Sequence, residues 1–198
     1  KGATLVEDRY GNSSKAYSFD GNNDRIVSTN DSWPSGNSSR TVSVWFNTKS
    51  NDKSNLFTFG ETANDGGRFS LMYVSLSTGV QRIDFIGEAN DHKFKETQLK
   101  GKWNNAIITL HSGKGILYLN GVKYGEFEKE LNTEKGMPLV IGSSTLGRNN
   151  EFFEGDLDDI RIYNRSLSES EVAALYELES KPQESNIKKG LVAYYPFN

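Results

Sequence analysis

The sequence contains no cysteine, which excludes a disulfide framework, a thiolate metal site and a cysteine nucleophile. That absence leaves the compartment open. No run of about 18 apolar residues is present to cross a bilayer as a helix, so no membrane insertion is expected. The N-terminal stretch KGATLVEDRY lacks the basic, apolar and small-residue parts of a signal peptide. The formal net charge is only −3, from 23 Lys and Arg against 26 Asp and Glu, and without a basic field no nucleic-acid partner is expected. Only two histidines occur. His92 sits in a polar loop and His111 near a strand end, neither with a carboxylate or nucleophile close in sequence, so both read as solvated surface groups. No Gly-rich phosphate loop, zinc-binding histidine pair or nucleophile elbow is found, which leaves metal and ligand binding as the available chemistry.

What is present points to an all-β chain. At 198 residues there is enough for one sizeable core, and a single domain over residues 1–198 is expected. Aromatics make up 12% and glycines number 19, with Asn, Ser, Asp and Gly clusters recurring between short runs of β-formers. Arg40 to Thr48 alternates cleanly, with Val42, Val44 and Phe46 on one face and Thr41, Ser43, Trp45 and Asn47 on the other. Trp45 therefore lies either under another layer or on an exposed concave sheet. Further strands are expected at Lys15 to Ser28 (two short runs), Asn55 to Gly60, Arg68 to Ser75, Gln81 to Gly87, Lys93 to Leu99, Asn105 to His111, Ile116 to Gly125, Pro138 to Gly142 and Phe152 to Tyr163. Asn120-Gly121 is a strong hairpin signal, since both turn positions tolerate positive φ.

Short strands spaced about 8 to 12 residues apart, with turn chemistry between them, match a sandwich or jelly roll. One short helix is marked near the C-terminal end of the pattern. Ser168 can cap it, Glu169 and Glu171 suit its first turn, and Val172, Leu175 and Tyr176 recur at helical spacing. It is expected across the sandwich edge.

KAYSFDGNNDRI (15–26), RTVSVWFN (40–47), KWNNAIITL (102–110), GILYLNGVKYGE (115–126), PLVIGSS (138–144) and FFEGDLDDIRIYNRSLSESEVAALY (152–176) resemble the bacterial laminin-G-like, concanavalin A-like jelly-roll domains. The resemblance covers most of Lys15 to Tyr176. It implies two curved antiparallel sheets and a non-catalytic module of a larger secreted or cell-surface bacterial protein, carbohydrate-binding and carrying a structural calcium ion. The alternative it leaves is an adhesion or spacer module that recognises a surface protein. In the family a strand like GLVAYYPFN opens the domain, whereas here Gly190 to Asn198 closes the chain. That segment either completes this sandwich or starts a next repeat, and strand exchange with a neighbouring repeat is a further possibility.

Calcium takes several oxygen ligands, and two clusters offer them. On a strand, Asp156 and Asp158 share one face while Leu157 and Asp159 share the other. The resemblance points to Asp158 as a metal ligand, helped by Asp156 and by Asp20 and Asn22 of the Asp20 to Asp24 turn. Equally, Asp20 and Asn22 can be ordinary Asx-turn residues, and Asp158 or Asp159 can pair with Arg161 or Arg25. Glu154, Asp156 and Asp159 superficially resemble the E-x-D-x-x-E signature of laminarinase-type glycoside hydrolases. Here the last carboxylate is one methylene shorter and the flanks match the non-catalytic strand, so a polysaccharide-cleaving enzyme is disfavoured and no catalytic residue is assigned. For a glycan, a flat aromatic and convergent polar groups are needed. The candidates are Trp33, Tyr73, Arg148, Asn149 and Asn150, with Glu88, Asn90 and His92 as a second group. Trp33, the one large apolar group of its loop, is expected more often to fold onto the core edge than to stack on a ligand.

Overall fold

The computed structural model describes residues 2–28, 32–60, 65–144 and 151–182. In chain order the strands begin with β1 (Thr4–Val6), β2 (Ala16–Asp20), β3 (Ile26–Val27) and β4 (Arg40–Thr48). They continue with β5 (Ser54–Gly60), β6 (Arg68–Ser75), β7 (Gln81–Ile86), β8 (His92–Lys93) and β9 (Asn104–His111). The last four are β10 (Lys114–Leu119), β11 (Val122–Glu128), β12 (Val140–Ile141) and β13 (Glu154–Tyr163), before one helix, α1 (Glu169–Glu179). All pairings between these strands are antiparallel, in a seven-stranded sheet ordered β1-β2-β13-β4-β9-β10-β11 and a six-stranded sheet ordered β3-β12-β5-β6-β7-β8.

The period-two pattern decides which residues the sheets turn toward each other. From the seven-stranded sheet Val42, Val44 and Phe46 meet Ala106, Ile108, Leu117 and Leu157 in one buried cluster. The six-stranded sheet contributes Phe57, Phe59, Phe69, Leu71, Tyr73, Ile83 and Phe85. Phe85 on β7 stacks on Phe127 on β11, ring centroids 4.5 Å apart, and so joins the two layers. Each fully buried ring of this kind contributes on the order of 2–3 kcal/mol. Glycine makes this end possible: a Cβ on Gly115 would lie 2.1 Å from the Phe127 ring, and one on Gly125 would lie 2.7 Å from Phe94. Phe94 and Phe127 thereby close that end of the sandwich. At the other end Leu5 and Tyr17, partners across β1 and β2, remain 54% and 42% exposed.

Three elements differ from the sequence reading. The N-terminal residues, where no strand was expected, include β1. The strand expected from Lys93 to Leu99 is cut short after Lys93: Phe94, which enters the core, still donates its amide to the Ile83 carbonyl at 3.3 Å, and Thr97 bridges to Gln81. The helix lies on the outer face of the seven-stranded sheet, not across an edge. Val172 and Leu175 pack on Ile107 and Tyr118, which alternation turns outward from β9 and β10. Its start is fixed by a capping box: Ser168 accepts from the Glu171 amide, and the Glu171 side chain accepts from the Ser168 amide. Trp45 lies beneath this helix, as the covered alternative for it required.

Candidate functional site

Alternation along β6 sends Arg68, Ser70 and Met72 to the outer face of the six-stranded sheet, beside Asn55 and Thr58 of β5. Residues in such a row normally meet water, yet Arg68 is 1% exposed and Asn55, Thr58 and Ser70 are fully buried. They form a connected polar hub. Arg68 Nη2 donates to Asn55 Oδ1 at 2.9 Å, and Ser70 Oγ donates to the same oxygen at 2.9 Å. The buried Glu151 carboxylate accepts from Asn55 Nδ2 at 3.0 Å and from Arg68 Nη2 at 3.4 Å. Two further charges border the hub: Glu88 lies 3.9 Å from Arg68 Nη1 with a side chain 21% exposed, and Lys53 lies 3.8 Å from Glu151 with a side chain 55% exposed.

An ion pair this deep is held at a desolvation cost that apolar packing would avoid. Charges retained on a sheet face in this way mark a site candidate. The adjoining loop strengthens the case. Glu88 and Ala89 are consecutive non-glycine residues in the left-handed region, φ 51° and 59°, each costing roughly 1–2 kcal/mol. Gly66 N donates to the Glu88 carbonyl at 2.8 Å, Gly87 N to Asp91 Oδ1 at 2.9 Å and Asn90 Nδ2 to the Glu130 carbonyl at 3.0 Å. Local strain held by surrounding bonds is a recurrent property of ligand-contacting loops.

Of the residues expected from the sequence, Glu88 borders this hub, and Asn90 lies in the adjoining loop with its amide bound to the Glu130 carbonyl. Tyr73 is corrected: it lies on the inward row of β6, is 0% exposed, and its hydroxyl donates to the Ser50 carbonyl at 3.2 Å, so no sugar can stack on it. Trp33 is half-buried and packs against the core. His92 is set edge-on to Phe94 at 4.7 Å, and burial, followed by the nearby Lys129, lowers its pKa. Arg148, Asn149 and Asn150 lie outside the described residues, as does Gly190 to Asn198. The sequence reading missed Asn55, Arg68 and Glu151. The outward position of Arg68 was visible in the alternation, but its burial was not.

The calcium expectation can be tested on the carboxylates themselves. Asp20 Oδ1 accepts from the amides of Asn22 and Asn23 at 2.9 and 3.2 Å, the Asx-turn arrangement, and these bonds lower its pKa. Glu154 is the residue opposite Asp20, four positions along β13 from Asp158, or about 13 Å. Oxygens sharing one calcium lie within about 5 Å of each other, so Asp20 and Asp158 do not serve one ion. Asp156 is half-buried on the outer face opposite Ser18 and Asn47. Asp158 is engaged by Arg9, Nη1 to Oδ2 at 2.5 Å. Among the described residues no group of three or more acidic or histidine side chains is arranged to hold a metal. The four residues Asp20, Asn22, Asp156 and Asp158 do not fit one calcium site.

A bulge explains why Asp159 also reaches Arg9. On β13 the step from Asp158 to Arg161 spans three residues against two on β4, Trp45 to Ser43, and Asp159 has φ 41°. The strict alternation expected between Asp158 and Asp159 is broken there, and Asp159 Oδ2 accepts from Arg9 Nη2 at 2.7 Å. Burial raises the pKa of Asp158, with Arg9 opposing it. For Arg9, burial acts to lower the pKa, but hydrogen bonds to Asp159 and Tyr10 and attraction to both aspartates raise it overall. A cleft of about 480 Å3 opens beside this arginine, lined in part by Asp8, Tyr10, Asn12, Lys15 and Arg161.

The family model of the concanavalin A-like lectin/glucanases superfamily matches residues 20–173. No curated protein matches the chain. Among solved structures, domain 4 of AbnA, a GH43 extracellular arabinanase from Geobacillus stearothermophilus in complex with arabinotriose, is 19% identical with a TM-score of 0.69, over 89% of this chain and 82% of that one. A native heptameric SAP-like pentraxin from Limulus polyphemus is 18% identical with a TM-score of 0.67, over 82% and 81%. The Botulinum neurotoxin serotype D binding domain is 17% identical with a TM-score of 0.62, over 89% of this chain and 44% of that one. At these identities the likeness is one of fold.

Proposed function

The chain belongs to the concanavalin A-like lectin/glucanases superfamily, and from that premise we propose that it is a non-catalytic, extracellular glycan-binding module of a larger protein. The observation that carries the reading is the Arg68 hub. Sugar hydroxyls are recognised by convergent carboxylate, amide and ammonium groups held before the ligand arrives. Arg68 touches both Glu88 and Glu151, and Glu151 in turn faces Lys53 and Asn55. Glu88 and Lys53 are the groups a ligand reaches, while Arg68 and Glu151 hold them in place. The arabinotriose complex of a domain with this fold supports the ligand class.

A non-catalytic role is supported by the state of the carboxylates on β13. Glycoside hydrolysis needs two carboxyl groups free to flank one bond. Asp158 and Asp159 are both bound to Arg9, and Glu154 stands at the far end of the strand opposite Asp20. A second reading, a protein-recognising adhesion or spacer module, is favoured by the adjacent exposed Leu5 and Tyr17. A glycan array, run with calcium and again with chelator, tests the first reading, alongside an assay for reducing ends released from polysaccharide. Glycan binding without release is expected. No binding to any glycan would overturn the reading, and release would reinstate an enzyme.

A further inference from the structure

The fold supplies its own cation at the position where the family resemblance led us to expect calcium. Arg9 Nη1 and Nη2 donate to Asp158 and Asp159 at 2.5 and 2.7 Å, and Nε and Nη2 donate to the carbonyl of Glu179, the last residue of α1, at 3.0 and 2.8 Å. The guanidinium also lies over two rings: its central carbon is 4.5 Å from the Trp45 ring centroid and 4.6 Å from that of Tyr10. The side chain is 6% exposed. We propose that the Arg9 guanidinium is the structural cation of this domain, replacing a calcium ion at Asp158 and fastening the N-terminal segment to β13 and to the end of α1.

Each part of the surroundings suits a guanidinium better than a metal. Calcium takes six to eight oxygens in a shell around it, whereas this position lies over the faces of the Trp45 and Tyr10 rings, which attract a planar cation and are not metal ligands. The acceptors Asp158 Oδ2, Asp159 Oδ2 and the Glu179 carbonyl meet the fork of N–H groups. The Glu179 carbonyl carries the negative end of the helix dipole, which favours a cation there. The β13 bulge is what aims the second carboxylate at this point, since unbroken alternation would turn Asp159 away. Glu179 ties the same position to the sheet from its other side, its carboxylate accepting from Trp45 Nε1 at 2.9 Å and from Arg161 Nε.

Thermal melts of the full chain test this. The unaltered protein should melt at the same temperature in millimolar calcium and in chelator. Arg9→Ala should lower the midpoint by about 10 °C, and millimolar methylguanidinium should restore part of that loss while calcium does not. Should Arg9→Ala fail to fold, Arg9→Lys serves: it keeps the charge but loses the fork, and its midpoint should lie below that of the unaltered protein, again unmoved by calcium. A midpoint of the unaltered protein that rises with calcium, a variant that melts normally, or rescue by calcium in place of methylguanidinium would each overturn the proposal.

Discussion

Trp45 of β4 and Tyr176 of α1 are stacked, with ring centroids 5.7 Å apart and planes 13° from parallel. That contact decides where the helix lies. An eleven-residue helix has little stability alone, and this one is held by the stack, by Val172 on Ile107 and Tyr118, and by the bond from Trp45 to Glu179. Replacing Tyr176 by Ala should cost about 2 kcal/mol. Urea unfolding would measure it, with loss of the Trp45 near-ultraviolet dichroism expected to accompany the change.

Arg40 should tolerate no substitution, including lysine. It is fully buried, and its guanidinium donates to the carbonyls of Pro34, Ser35, Gly36 and Ser38 at 2.6 to 3.2 Å, while lying 5.0 Å from the Phe69 ring. Burial pushes its pKa down to about 10. Lysine carries three donors on a flexible stem and cannot meet four carbonyls in a fork. Arg40→Lys should lose about 3 kcal/mol, read from denaturant midpoints, with faster amide exchange in residues 34–38.

The helix cap gives a pH dependence with a definite sign. The Arg165 hydrogen bond, followed by those from Ser168, lowers the Glu171 pKa to about 2 from 4.5. A carboxylate depressed in the folded state contributes stability that is complete above the unfolded value and is lost as pH falls through the folded one. The contribution should therefore fade between pH 4.5 and 2. Melting midpoints of the unaltered protein and Glu171→Gln, taken across that window, should converge as pH falls.

Much of the scaffold was legible because it depends on short-range pattern. The alternation of Arg40 to Thr48 located β4 and its inward face, and Ser168 with Glu171 located the start of α1. The helix position was not legible, since its apolar residues say that it packs but not on which surface. Tyr73 was misread because its alternation partners mark a buried row only once the facing sheet is known. The Asp158 to Arg9 pair spans 149 positions, and the bulge at Asp159 breaks the very period from which its side was inferred. The burial of Arg68 was not legible either, because the pattern gives its face and not what covers it.

Removing one member of the Arg68 hub should be more harmful than removing the charge pair. Glu151→Ala leaves a buried guanidinium with less compensation and should cost about 3–5 kcal/mol, whereas Arg68→Met combined with Glu151→Leu should cost less. Chemical unfolding of both variants would show the order. The double variant should also lose glycan affinity, since it removes the contacts of Arg68 to Glu88 and of Glu151 to Lys53.

The most direct measurement is calorimetric titration of a glycan that the array identifies into the unaltered protein and into Glu88→Ala and Lys53→Ala, with folding of each checked by its melt. Affinity should fall about tenfold or more in each variant, equivalent to about 1.4 kcal/mol, with melting little changed. Unchanged affinity in both variants would contradict the placement of the glycan site on the outer face of the six-stranded sheet.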